Sequence, residues 1–248
     1  MVNVLMNDSK LMELAGRIDQ SGFCFAPAQE VRAILQSEDA DALSDWADFA
    51  ASWNDMPLDQ YMADGGRYRR RRYAVMSATD LPGSVRLEAH QPHYQSLDYN
   101  RLNGGIAREF EPIEPEVLRS QSLQSVLKFA HQLFSCLKPS PAWHIELHQF
   151  RIEASGDQQG RPTPEGVHRD GVDFVLVMML QRVNISSGTT TMHDLELRTL
   201  DSFTLTDPLD VAVVNDHRCM HGVTPVEQID PGKPAYRDVL VVTFRSKS

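Results

Sequence analysis

The sequence predicts a mainly β protein with a helical layer, an α+β arrangement whose strands concentrate after Pro141. Three observations carry that reading. The chain up to Leu137 repeats apolar residues with a period near 3.6 over long stretches. The chain beyond Pro141 alternates, or runs apolar, over short stretches, and Pro139 and Pro141 stand at the change. At least seven short strands separated by turn residues point to a sandwich or a jelly-roll barrel.

In the first part, Leu11, Leu14, Ala15 and Ile18 recur at helical spacing, with Gly22 as a stop. From about Ala28 to Trp53, Val31, Ile34, Leu35, Leu43, Trp46 and Phe49 are spaced among acids, which suits one or two amphipathic helices. At Gly65-Gly66 the character changes. Arg67-Tyr-Arg-Arg-Arg-Arg-Tyr73 runs on into Ala-Val-Met and reads as extended chain. From Pro115 to Leu137 the residues Val117, Leu118, Leu123, Val126, Leu127, Ala130, Leu133, Phe134 and Leu137 predict one long amphipathic helix. It is expected to buttress the strands. Residues 1–140 thus form a helical layer with extra strands.

In the second part, Trp143–Ile152 alternates between two faces as a half-buried strand does. Val172–Leu180 is a longer apolar run, and shorter strands are expected at Gly188–Met192, Ser202–Thr206, Val211–Asn215 and Cys219–Val223. Tyr236–Arg245 has the β-branched density of a central strand. Residues 141–248 then make the β core, and 1–248 is read as one domain.

Composition narrows the function classes. Hydrophobic residues at 42% and charged residues at 23% argue against disorder. No apolar run approaches the ~18–20 residues that span a bilayer, and no secretory signal is expected from Met1–Asp8. Cys24, Cys136 and Cys219 are odd in number and far apart, which suits a reducing, cytoplasmic compartment. A net charge of -10 makes nucleic acid a poor partner. No apolar face is clearly spare, so a homodimer stays open.

The histidines carry the chemistry. His168-Arg-Asp170 puts an imidazole and a carboxylate two residues apart, on one side of extended chain. A third ligand is available downstream, where His217 and His221 both stand near the penultimate strand. Two His and one carboxylate on one face of a metal leave open positions, the arrangement of non-haem Fe(II) oxygenases. His144 and His148 share a strand face with Glu146 between them, and offer a second metal pair or simply polar residues facing water.

The pattern resembles a known family. His168-x-Asp170, a distal His and an Arg in the last strand look like the Fe(II)/2-oxoglutarate-dependent oxygenases. More narrowly, Gly66–Tyr73, His93-Tyr-Gln-Ser96, Gly104-Gly-Ile106 and Val167-His-Arg-Asp-Gly-Val-Asp-Phe174 resemble the bacterial L-isoleucine dioxygenases and related free L-amino-acid hydroxylases. The resemblance runs from about residue 60 onward. It implies a double-stranded β-helix (cupin-like jelly-roll) core and an enzyme using Fe(II), 2-oxoglutarate and O2. Such an enzyme is expected to hydroxylate, or sulfoxidise, a free L-amino acid, an aliphatic one favoured, with release of succinate and carbon dioxide.

The resemblance also implies residues. His168, Asp170 and His221 are expected to hold the metal, His221 being preferred to His217 because Gly-Val-Thr-Pro-Val follows it. If residues 225–234 hold a hairpin turn, Arg237 lies opposite His221 and Arg245 lies about 20 Å away. Arg237 is therefore expected to anchor the far carboxylate of 2-oxoglutarate through two donors. Arg70, Arg72, Tyr94, Asp98 and Asn100 are expected to contact substrate. The Arg run also reads as a solvated or internally paired strand. Two rival functions remain: a divalent-metal hydrolase on the same triad, and a non-catalytic metal- or ligand-sensing protein of a stress or biofilm response.

Overall fold

The computed structural model describes the backbone of residues 2–247 and the side chains of residues 9–247. Helix α1 (Val2–Ser21) buries Leu11, Leu14, Ala15 and Ile18. It stops at Gly22, whose φ of +87° is a left-handed conformation that glycine adopts without strain. A Cβ there would also stand 2.6 Å from Cys219 Sγ. Strand β1 (Phe23–Ala26), α2 (Ala28–Glu38) and α3 (Trp46–Ala51) follow, and then β2 (Arg69–Thr79). Three two-residue strands come next, β3 (Arg86–Leu87), β4 (His93–Tyr94) and β5 (Ala107–Arg108).

The single helix expected from Pro115 to Leu137 is two, α4 (Pro115–Leu118) and α5 (Gln121–Leu137). The break has a local cause. Ser120 caps α5 by accepting from the Leu123 amide. Asp45 accepts from the amides of Gln121 (2.6 Å) and Ser122 (2.9 Å), so two free donors of the first turn are satisfied from outside the helix.

The remaining strands are β6 (Ala142–Ala154), β7 (Phe174–Val183), β8 (Ile185–Ser187), β9 (Thr190–His193), β10 (Thr199–Phe203), β11 (Val211–Asn215), β12 (Met220–Val223), β13 (Val226–Gln228) and β14 (Ala235–Ser246). The large sheet has seven strands in the order β1-β11-β7-β14-β6-β2-β3. A three-stranded sheet, β10-β9-β12, and the pair β13-β8 lie apart from it. The strands form the jelly-roll core, and the predicted α+β architecture is the observed one. Among the described residues no helix is long and apolar enough to cross a membrane.

Alternation along the strands then sorts the two faces. Leu240, Val242 and Phe244 of β14, with Phe174, Leu176 and Met178 of β7, join the main apolar core with the helices. Phe134 of α5 stacks on Phe174 at a centroid distance of 4.8 Å. The other face of the same strands turns toward the small sheet and carries the chemistry.

Candidate active site

Odd-numbered residues of β14 (Arg237, Val239, Val241, Thr243) line a cavity with Glu146, His148 and Phe150 of β6 and Arg69 and Arg71 of β2. His221 and Val223 of β12 and the segment around residues 162–172 contribute further wall. The space within it open to the centres of water-sized molecules measures about 140 Å³.

His168, Asp170 and His221 converge there. Their ligand atoms all lie within 4.8 Å of one another. The approach is built by backbone: His168 and His221 exchange two hydrogen bonds of 2.9 Å, so the two imidazoles face each other across a short antiparallel bridge. Asp170 Oδ1 is 3.6 Å from His168 Nε2, and Oδ2 is 3.7 Å from His221 Nε2. Such a gap holds one ion at ordinary bond lengths of about 2.1 Å.

Neighbouring groups fix the ligands. Nδ1 of His168 donates to the Gly166 carbonyl at 3.0 Å, leaving Nε2 toward the gap. Asp216 accepts from three successive amides, those of Asp170, Gly171 and Val172, at 2.9, 2.7 and 3.1 Å. Gly171 takes φ +80°, and a Cβ there would strike the Tyr99 ring at 2.6 Å. Burial, and then His168, push His221 down to about 4. Burial opposes a charge on His168 too, but the Asp170 carboxylate outweighs it and lifts His168 to about 9. A proton between His168 and Asp170 thus stands where a cation would be favoured.

Arg237 is 2% exposed, and its Nε has no hydrogen-bond partner. Among the described residues no carboxylate pairs with it. Burial, and then Arg182, lower its guanidinium to about 10. An unpaired buried cation is costly, so this one is poised for an anionic ligand.

A second group of ligand type, His93, Glu146 and His148, lies in the same cavity. Glu146 accepts from the Tyr73 hydroxyl at 2.7 Å and lies 3.2 Å from His93 Nδ1. His148 Nδ1 is occupied by Arg71 Nη2 at 2.8 Å. A guanidinium in contact makes this the poorer home for a dication, because like charges repel strongly at low dielectric.

A family model described as 2OG-Fe dioxygenase matches residues 50–243, most of the chain. The chain belongs to the 2OG-Fe dioxygenase family. Enzymes of this family use Fe(II), 2-oxoglutarate and O2. A BsmA homologue of known structure from Methylobium petroleophilum PM1 is 35% identical to this dioxygenase, with a TM-score of 0.85 over 95% of this chain and 93% of that one. The 3(1)-hydroxy-L-isoleucine 4-dioxygenase of Pantoea ananatis is 25% identical over 95% of this chain and 96% of its own. The L-isoleucine-4-hydroxylase of Bacillus thuringiensis is 27% identical over 77% and 81%.

In this dioxygenase the other expected site residues separate. His217 is turned outward and meets Asp173 at 2.8 Å, away from the gap. Arg245 is exposed at the opposite end of β14 from Arg237. The expected hairpin between β12 and β14 does not exist: β12 pairs with β9, while β14 pairs with β6 and β7. Arg237 reaches the cavity through strand parity instead.

Arg70 and Arg72 are a correction. Arg70 pairs with Glu153 at 2.8 Å and Arg72 with Glu114 at 2.9 Å, both off the cavity face. Tyr94 is 60% exposed and Asp98 is exposed; neither lines the cavity. Asn100 does line it, with its amide donating to Gln95 at 3.1 Å.

Sequence reasoning missed Arg69, Arg71, Arg108 and Glu165. The Arg run offered both parities, and nothing in its sequence chose between them. Arg108 stands alone in a two-residue strand and gave no signal. Glu165 had one, since it precedes His168 by three residues and its Oε1 lies 3.5 Å from His168 Nε2.

Proposed function

We propose that this dioxygenase oxidises a free aliphatic L-amino acid, with His168, Asp170 and His221 holding Fe(II) and Arg237 anchoring 2-oxoglutarate. One observation supports it above the rest. The same cavity contains two imidazoles and a carboxylate converging on a gap, and a buried guanidinium to which no carboxylate among the described residues is paired. Two nitrogens and one oxygen suit Fe(II). The relatives named for isoleucine oxidation support the amino-acid class.

Fe(II) held by His168, Asp170 and His221, with 2-oxoglutarate and O2, would supply the oxidising power, one oxygen atom going to succinate with loss of carbon dioxide and the other to the substrate. The chain's own residues orient and enclose. Gly166 fixes the ring of His168, and Asp216 holds the backbone that presents Asp170. Arg237 offers a forked donor set to a carboxylate, and Val175, Val177, Val239 and Val241 keep the middle of the cavity apolar.

We also read residues 1–248 as one domain, because β1 and β2 from the first half are hydrogen-bonded into the large sheet. The deciding experiment reconstitutes the protein anaerobically with Fe(II) and adds 2-oxoglutarate, oxygen and each common L-amino acid in turn. Succinate release matched by a substrate mass gain of one oxygen is expected, at carbon or, for methionine, at sulfur. Turnover that ignores 2-oxoglutarate returns the hydrolase reading, and ligand binding without any turnover returns the sensor.

A further inference from the structure

The metal centre and Arg237 leave two buried cations, and one carboxylate with a buried, unpartnered oxygen, in the cavity without a task. We infer that they form a pocket for a zwitterion. Arg108 and Arg71 take the α-carboxylate of the substrate, and Glu165 takes its α-ammonium. The inference rests on the amino-acid reading above and names the residues that would select that class.

Arg108 is 2% exposed, lines the cavity, and has neither Nε nor Nη2 hydrogen-bonded. Among the described residues no carboxylate pairs with it. Arg71 is 4% exposed and gives Nη2 to His148, but its Nε is free. Phe110 covers the face of Arg71 at 3.7 Å from ring centroid to Cζ, with Phe150 at 4.7 Å, so only its edge remains to donate. Arg69 makes the contrast. It shares the parity of Arg71, yet Asp59 neutralises it at 2.7 Å. Among the described residues the fold supplies a paired carboxylate to Arg69 and none to Arg71 or Arg108.

Glu165 supplies the opposite sign. Its Oε2 is buried without a partner, and no Lys or Arg lies within ion-pair distance among the described residues. Glu146 is the poorer candidate, being already engaged by Tyr73 and the surrounding imidazoles. Unpaired buried charges are costly, and a ligand bearing both signs relieves the two costs together. An amine alone would meet two guanidiniums, and a dicarboxylate would meet Glu165. The class selected is an α-amino acid with an uncharged side chain, which the valines of the wall then accept.

The test uses the whole protein loaded anaerobically with Fe(II) and 2-oxoglutarate, with binding read by calorimetry. The common L-amino acids are screened first. L-isoleucine is then compared with 2-methylbutylamine, which lacks the carboxylate, and with 3-methylpentanoic acid, which lacks the ammonium. The amino acid should bind about 30-fold or more tightly than either analogue. Arg108→Met should erase the preference over the amine, and Glu165→Gln the preference over the acid, with 2-oxoglutarate affinity unchanged in both. Should a variant fail to fold, the analogue ratios of the wild-type protein decide alone. Wild-type preferences retained in both variants overturn the inference, as does a loaded protein that binds no L-amino acid. So does a second equivalent of metal bound at His93, Glu146 and His148. If the protein takes up neither Fe(II) nor 2-oxoglutarate, the functional reading falls with it.

Discussion

Arg71 donates through Nη2 to Nδ1 of His148 at 2.8 Å. A guanidinium has no acceptor to offer, so the imidazole must present a lone pair at Nδ1 and carry its proton at Nε2, toward Glu146. Burial, and then the Arg71 charge, hold His148 down to about 3. His148 should therefore stay neutral, as the Nε2–H tautomer, between about pH 5 and 9. Long-range nitrogen–proton correlation spectra of labelled protein read this directly. A His148 signal that titrates near pH 6 would mean the contact does not persist in solution.

The gap among His168, Asp170 and His221 predicts that no two of them suffice. His168→Ala or Asp170→Ala should lower succinate formation by about 100-fold or more while the circular dichroism of the fold persists. Full activity in either variant removes the metal assignment.

Arg237 and Arg245 sit on one strand with the same parity, but only Arg237 lines the cavity. Arg237→Ala should raise the KM for 2-oxoglutarate about tenfold or more, the scale of a lost charge-assisted pair. Arg245→Ala should leave it within about twofold, as surface changes usually do. The reverse order, measured by initial rates against 2-oxoglutarate concentration, would show that the co-substrate lies the other way round.

Asp173 predicts an acid sensitivity outside the cavity. It accepts from Lys138 Nζ (2.5 Å), the Ser246 amide (2.6 Å) and His217 Nε2 (2.8 Å). Burial opposes the charge, but these donors prevail and hold Asp173 down to about 2. A depressed carboxylate contributes stability above its ordinary value of 3.8 and loses it as pH falls toward 2. With solvent screening the contribution is about 1 kcal/mol. Asp173→Asn should be less stable to urea at pH 7 by that order, and the difference from wild type should close below about pH 4. A gap that widens in acid would contradict the sign.

Much of this was legible in the chain. Val211–Asn215 was expected as a strand and is β11, and the Trp143–Ile152 alternation became the core of β6. Period-two patterning survives folding because each strand has one face on the helices and one on the cavity. The junction at Ser120 was not legible, since the donors of α5 are satisfied by Asp45, distant in sequence. Which arginines of the run face inward was not legible either. Four identical residues carry no phase, and pairing with β6 sets it: Arg71 lies opposite Phe150, and Arg72 opposite Gln149. The histidines stood out because His168-x-Asp170 lies in the all-β half just before a long apolar strand, with a second His near the penultimate strand, whereas a lone arginine such as Arg108 is ordinary until its surroundings are seen.

Strand β1 occupies the outer side of β11, pairing Phe23 with Val214 and Ala26 with Val211. Without it, the backbone amides and carbonyls of an apolar strand would be left bare at the border of the sheet, a ready template for another chain. Strand β1 is itself the border of the sheet and only four residues long, a short selvedge that takes the place of the apolar β11 at the edge. A shortened protein lacking residues 1–26 would keep every cavity residue named above and still be prone to stick to itself.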